Sequence, residues 1–382
     1  MRELLRRALP SLLSVLLALL ICFVGLAVAK GSLASAFDAF TELFVGGLGD
    51  VPRWLETGRL ALVTRPLGET AIKASLLALV GLSVAVAFRV GLFNIGAQGQ
   101  MIVGALAAAV VGAGVSLPAL LHVPLCLVVA AFSGALWALP AATLKLWRGV
   151  HEVISTIMLN WIAVSLVDGW LVVGPLRAVA QDGSARAGTA DLQPTAHLPR
   201  LLEELSRLNL GFVIALLALV GVWIWLFRSV SGFEARAAGL SNEAARTAGI
   251  PVERRVLTGF LASGALSGLA GAVLVMGTEF RYPGSLGAPY GFDGIGIALI
   301  GQNHPVGVGL SALFFGILRA GGTRLQLFGV HKSFPELIQG LALLFVAASW
   351  VWTRLLERGA NAAPSPEPAP ESIAAPSPER PS

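Results

Sequence analysis

FRSVSGFEARAAGLSNEAARTAGIPVERRV, residues 227–256, is a polar island between two apolar runs, Leu210 to Leu226 and Val256 to Gly277. At ~1.5 Å per residue each run is long enough to cross a ~30 Å hydrocarbon core, so the island meets water at one membrane face. Arg228, Arg236, Arg246, Arg254 and Arg255 outnumber Glu234, Glu243 and Glu253, the excess expected of a short cytoplasmic loop. Ser241 and Asn242 are capping residue types ahead of NEAARTA, which Gly249 stops and Pro251 keeps from continuing. The spacing predicts a short capped helix on a cytoplasmic loop, suited to docking another protein or serving as an ordinary solvated connector.

Working outward, the 382 residues are 55% hydrophobic and only 13% charged, and mean hydropathy is +0.78. That composition excludes a water-soluble domain for most of the chain and gives an all-α, polytopic membrane protein. The formal charge of +5 follows from basic residues at span ends and in cytoplasmic loops, so no nucleic-acid partner is implied. Cys22 and Cys126 lie in apolar runs without metal-ligand neighbours and read as small hydrophobes. No metal site is expected.

About ten transmembrane helices are predicted, at roughly 9–29, 68–88, 97–116, 118–141, 152–174, 209–227, 256–277, 289–301, 304–321 and 335–353. Met1 to Arg7 and the apolar stretch to Ala29 resemble a signal peptide, but the stretch is too long and reads as a retained first span. Arg2, Arg6 and Arg7, Lys145 and Arg148, and Arg354 with Arg358 place both termini in the cytoplasm, which requires an even number of spans. Parity makes 289–301 a short span, although Gly291, Gly294 and Gly296 suit a broken or re-entrant element equally well. Segments 30–66 and 175–208 are then external loops with nearly balanced charge, candidates for contact with a soluble partner. Residues 1–358 are expected to form the transmembrane domain, with 229–255 as its cytoplasmic loop. Pro, Ala, Ser and Glu dominate 359–382, which predicts a disordered tail.

Three polar, glycine-bearing segments interrupt membrane-depth sequence: GLFNIGAQGQ at 91–100, HEVISTIMLN at 151–160 and YGFDGIGIALIGQNHP at 290–305. Unwound backbone at that depth is tolerated only where it is buried in protein or lines water, and such breaks often build solute paths. Asn94, Gln98, Gln100, Asn160 and Asp293 are therefore candidate path residues; close helix packing with amide hydrogen bonds is the competing explanation. Lys73 and Asp168 are also intramembrane but lie within reach of the outer interface. Tyr282 and Tyr290, beside Phe280 and Phe292, suit stacking on a flat ring, and an interfacial aromatic belt predicts the same residues.

The sequence holds no GxxxxGK[ST] phosphate loop, HExxH helix, GxSxG elbow or paired CxxC. The chain is expected to catalyse no reaction and to bind no cofactor itself, so energy must come from a partner or an ion gradient.

Taken in order, GLFNIGAQGQMIVGA, HEVISTIMLNWIA, GFEARAAGLSNEAARTAGIPVERRVLTGFLASGALSGLAGA and YGFDGIGIALIGQNHPVG resemble the permease subunits of bacterial nucleoside ABC transporters. These sit within the broader branched-chain amino-acid and ribose permease group, and the resemblance covers about residues 60–355. It implies a subunit of an importer in the bacterial cytoplasmic membrane, embedded in lipid. The implied partners are a second related permease, cytoplasmic ATPases that use the ATP, and an external solute-binding lipoprotein. By position Ser241, Asn242, Glu243, Ala244, Arg246 and Gly249 would belong to the helix that couples to the ATPase. Two departures stand out: members commonly read GAEGQ where this chain has Gln98, and Asn where it has His151. Simple sugars or branched-chain amino acids remain alternative cargoes, since the wider group carries them. A gradient-driven transporter would need Asp168 or Asp293 for coupling, and a non-transporting scaffold would not need the polar segments at all.

Overall fold

In a computed structural model, the described residues are 2–178, 186–202, 205–286, 290–331 and 333–348, with the side chains of 2–8 excluded. The predicted tail at 359–382, Arg354 and Arg358, and the end of the tenth span lie outside them.

The described chain is helical: α1 Arg2–Lys30, α2 Leu33–Leu48, α3 Val51–Thr57, α4 Ala61–Arg89, α5 Ala97–Gly114, α6 Ala119–Arg148, α7 Glu152–Leu166, α8 Gly211–Arg228, α9 Val230–Leu240, α10 Asn242–Thr247, α11 Val252–Leu274, α12 Tyr290–Ile300, α13 Pro305–Leu325 and α14 Phe334–Ala347. Single π-turns extend α7 over Val167–Leu171 and α11 over Val275–Glu279. Eight of these helical stretches are long and apolar enough to cross a membrane, and Tyr290–Ile300 and Phe334–Ala347 are shorter apolar helices. Together they fall at the ten expected positions, several with shifted ends.

Helix α11 is the hub, packed against α4, α5 and α6. Small residues let the backbones meet: a Cβ at Gly268 would stand 2.2 Å from the carbonyl oxygen of Ala130 on α6, and one at Gly104 of α5 would stand 2.4 Å from Gly268 Cα. With lipid on the outside, such close van der Waals contact replaces a hydrophobic drive for helix association.

Residues 30–66, expected as a loop, instead hold α2, α3 and the start of α4, a correction. Ser32 caps α2 by accepting from the backbone N–H of Ser35 at 3.3 Å, and Ala36, Ala39, Leu43, Gly46 and Gly47 form its buried face. That face packs on α13 and α4, and Arg324 donates to Glu42 at 3.0 Å. The spacing is helical, but the apolar run is interrupted by Asp38, Thr41 and Glu42, so a search for continuous spans passes over it.

The short element at 290–300 begins within the bundle. Gly294 packs on Val80, nine residues before the Arg89 end of α4, or ~14 Å at ~1.5 Å per residue. At the other end of α12, Arg89 Nε donates to the carbonyl of Asn303 at 2.8 Å. Eleven residues span ~16 Å, about half of a ~30 Å core. This segment is the broken element, not the full short span that parity requires.

Candidate functional site

The bundle contains two discontinuities among the described residues, 90–96 between α4 and α5 and 281–286 ahead of α12, and the predicted amides converge on them. Asn94 is 1% exposed. Its Nδ2 donates to Gln100 Oε1 at 2.8 Å and to Ser263 Oγ at 2.7 Å, while its Oδ1 accepts from the backbone N–H of Gly96 at 2.9 Å. Ser263 Oγ in turn donates to the carbonyl of Ser83 at 2.7 Å, and Ser267 Oγ donates to Ser83 Oγ at 2.8 Å. Asn160 reaches across from α7: its Oδ1 accepts from Gly99 N–H at 2.8 Å and its Nδ2 donates to Ile95 carbonyl at 2.7 Å. Helix starts leave backbone donors unsatisfied, and in an apolar interior each costs free energy unless paired. Asn94 and Asn160 supply those partners where the chain unwinds.

Gln98 joins the two discontinuities. Its Oε1 accepts from the backbone N–H of Gly291, the second residue of α12, at 2.6 Å. A Cβ at Gly291 would lie 2.2 Å from Gln98 N, so only glycine allows this approach.

Asp293 belongs to a separate cluster. Its carboxylate pairs with Arg319 of α13 and accepts from Gln339 Nε2 of α14 at 3.0 Å. The Arg319 guanidinium lies over the Tyr290 ring at 5.1 Å from the centroid, and Lys73 Nζ donates to the Arg319 carbonyl at 3.0 Å. Lys73 is thus tied to the backbone of α13 rather than extended to an interface. Arg319 and Gln339 escaped the sequence reading because their pairing arises only when α12, α13 and α14 come together.

Tyr282 is fully buried and donates its phenol to Asp168. Burial and the adjacent carboxylate push its pKa well above the ordinary tyrosine value. Around it, backbone hydrogen bonds stitch the long segment after α7 to the end of α11: Thr189 N–H to Tyr282 carbonyl at 2.9 Å, Leu192 to Phe280 at 2.8 Å and Leu198 to Met276 at 2.9 Å. Tyr282 is a strut of this cover, and no face of its ring is open. Tyr290 is half-buried at the start of α12, so the two tyrosines do not form one stacking surface.

At the opposite end of the bundle the polar island folds into two helices. Ser241 caps α10 by accepting from Ala244 N–H at 3.3 Å, whereas Asn242 is the first helical residue, a correction to its expected capping role. Gly249 takes φ +79°, a conformation that favours glycine and ends the turn. Ala245 is buried; Asn242, Glu243, Ala244 and Arg246 are exposed, and Arg246 pairs with Glu253 at 2.5 Å. Helix α9, absent from the sequence reading, is capped by Ser229 and tied to α11 through Glu234 and Arg255. The loop is packed on the bundle: α9 and α10 share a small apolar core of Val90, Leu92, Ala238, Ala245, Val252 and Phe260. A Cβ at Gly239 would lie 2.2 Å from the Arg89 carbonyl oxygen, so α9 rests directly on the α4–α5 break.

Residues 67–347 match the family described as branched-chain amino acid transport system / permease component. The guanosine ABC transporter permease protein NupP of Bacillus subtilis is 39% identical over 302 residues, covering 77% of this chain and 86% of that one. The glucose ABC transporter permease protein TsgB13 of Haloferax volcanii is 35% identical, covering 78% and 82%. The nucleoside ABC transporter permease protein NupB of Lactococcus lactis is 29% identical, covering 82% and 84%. The membrane-spanning bundle, its two discontinuities and the folded polar loop are thus those of a permease of the ABC transporter class, and this chain belongs to the branched-chain amino acid transport system permease component family.

Proposed function

We propose that this chain is the permease through which an ATP-driven importer carries nucleosides across a bacterial cytoplasmic membrane. The observation that carries the cargo is similarity over more than three quarters of the chain to permeases named for guanosine and for nucleosides. The α9–α10 end faces the cytoplasm in this reading, in keeping with its excess of arginine, and both termini lie on that side. The partners are a second related permease, cytoplasmic ATPases that bind and use the ATP, and an external binding lipoprotein. This chain binds no cofactor.

Coupling follows from contacts already described. Closure of the ATPases displaces α10 through its exposed Glu243 face. The shared core passes that displacement to α9, and Gly239 passes it to Arg89 and the break at 90–96. From there Gln98 links the break to α12. Segments lacking continuous helical hydrogen bonds are the natural place for the bundle to change between outward- and inward-open forms. Asn94, Gln98, Gln100, Asn160, Asp293, Tyr282 and Tyr290 border the path in this scheme.

The 35% identity to a permease named for glucose favours one second reading, a sugar as cargo. Uptake of radiolabelled guanosine and uridine, with glucose, ribose and leucine as controls, in cells expressing the whole system tests the choice. Nucleoside uptake that excess unlabelled glucose does not compete supports the proposal; glucose uptake alone replaces the cargo.

A further inference from the structure

A cluster of arginines without acidic partners sits beside an apolar groove at the α9 end of the bundle. Phe227, at the end of α8, carries the Arg236 guanidinium at 4.9 Å and the Arg89 guanidinium at 5.7 Å from its ring centroid. The His304 ring packs on the same phenylalanine at 4.9 Å. One turn earlier, Trp223 carries Arg228 at 5.4 Å. Among the described residues none of these three arginines forms an ion pair. Arg89 is satisfied by the carbonyls of Asn303 and Gln302. The Nε of Arg236 is buried and has no hydrogen-bond partner among the described residues. Like charges gathered around one ring, with a buried donor unmet, are costly unless an anion joins them.

The groove opens between α4, α8 and α13, with a volume of about 410 Å³; Ala78, Leu216, Leu219, Trp223, Pro305 and Val306 are among its lining residues. It shares Trp223 with the Arg228 contact and reaches Pro305, the residue after His304. Along α8 its lining runs from Phe212 to Trp223, ~16 Å at ~1.5 Å per residue. Val220, Val306 and Leu310 on its rim are exposed, and in a bilayer that exposure is to acyl chains. Tryptophan beside an arginine at a span end marks headgroup level.

We propose that the groove and the arginines form a binding site for an anionic phospholipid, with an acyl chain along α8 and the phosphate held by Arg228 and Arg236. Charge complementarity selects this occupant. An apolar helix from a second permease fills the groove but leaves the arginines unpaired, whereas a phosphodiester accepts from their N–H groups. The site is independent of the transported solute, so its test is read without transport.

The assembled transporter in detergent is titrated with dioleoyl phosphatidylglycerol or dioleoyl phosphatidylcholine, and the thermal midpoint is followed. Phosphatidylglycerol raises the midpoint saturably and phosphatidylcholine does not. Arg228→Gln and Arg236→Gln each raise the half-saturating concentration about fivefold, and Arg236→Lys retains most of the affinity. Gly309→Leu abolishes the saturable response by filling the groove, since a Cβ there already stands 3.2 Å from Leu219 Cδ1. Equal response to both lipids, a phosphatidylglycerol response unchanged in the arginine variants, or the same shift from inorganic phosphate overturns the proposal. Arg228 is exposed at a helix end, so Arg228→Gln leaves the fold standing even if Gly309→Leu fails to assemble. Native mass spectrometry of that variant shows fewer co-purified phosphatidylglycerol molecules than the wild type; an equal number contradicts the site.

Discussion

The backbone N–H of Gly291 donates to the side-chain oxygen of Gln98 at 2.6 Å, so the start of α5 holds the start of α12. Both helices begin inside the bundle, where an unpaired backbone donor has no water to turn to. Gln98→Ala removes the acceptor and costs about 1–3 kcal/mol, measured as a lower thermal midpoint of the purified assembly. Gln98→Glu keeps an acceptor oxygen and preserves the midpoint better than the alanine variant. Gly291→Ala is the most damaging of the three, since its Cβ would overlap the Gln98 backbone.

Asp293 and Arg319 behave as a buried pair. Arg319→Ala strands the carboxylate and costs about 3–5 kcal/mol, and Asp293→Ala strands the guanidinium at a similar cost. Asp293→Asn with Arg319→Gln removes both charges and recovers most of the lost stability. A double-variant cycle on the thermal midpoint checks this; additive losses would contradict the pairing.

Tyr282→Phe leaves Asp168 without its phenol partner and loosens the cover built by 186–202 and 276–282. Hydrogen exchange at the Thr189 and Leu192 amides rises relative to wild type, while exchange in α10 stays the same.

His304 is held below the ordinary histidine value by burial and by Arg89. The folded state therefore binds fewer protons at this site than the unfolded chain, and stability rises with pH. Its contribution is present above the ordinary histidine value of 6.5 and is lost as pH falls from there through the lower folded value. His304→Gln flattens that slope in thermal midpoints taken from about pH 7.5 to about pH 5.

Much of this architecture is legible in the sequence because apolar length and basic span ends are local signals. The Ser241 cap and the Gly249 stop are local too, and they mark α10 within one residue. Asn94, Gln98, Gln100 and Asn160 stand out as amides at membrane depth, yet what they bind does not. Their partners are one another, backbone groups exposed by unwinding and Ser263, which Ser83 and Ser267 support in turn and which looks ordinary in an apolar run. Asp293 is visible alone, but Arg319 and Gln339 are 26 and 46 residues away and meet it only through helix packing. Helix α2 is hidden for a different reason: at 16 residues, with Asp38 and Glu42 inside it, its apolar run is too short to read as a span.

The measurement that bears most directly on the account is ATP-driven nucleoside uptake by the complete transporter in proteoliposomes, comparing wild type with Glu243→Arg. Glu243 is exposed and in no ion pair among the described residues, whereas Arg246 is tied to Glu253, so the glutamate change leaves the loop fold intact. Reconstitution is matched by quantifying the permease in each preparation. The account predicts that the variant assembles with an unchanged thermal midpoint but loses most ATP-dependent uptake. Uptake equal to wild type would contradict the assignment of α10 as the point where ATP-driven movement enters this chain.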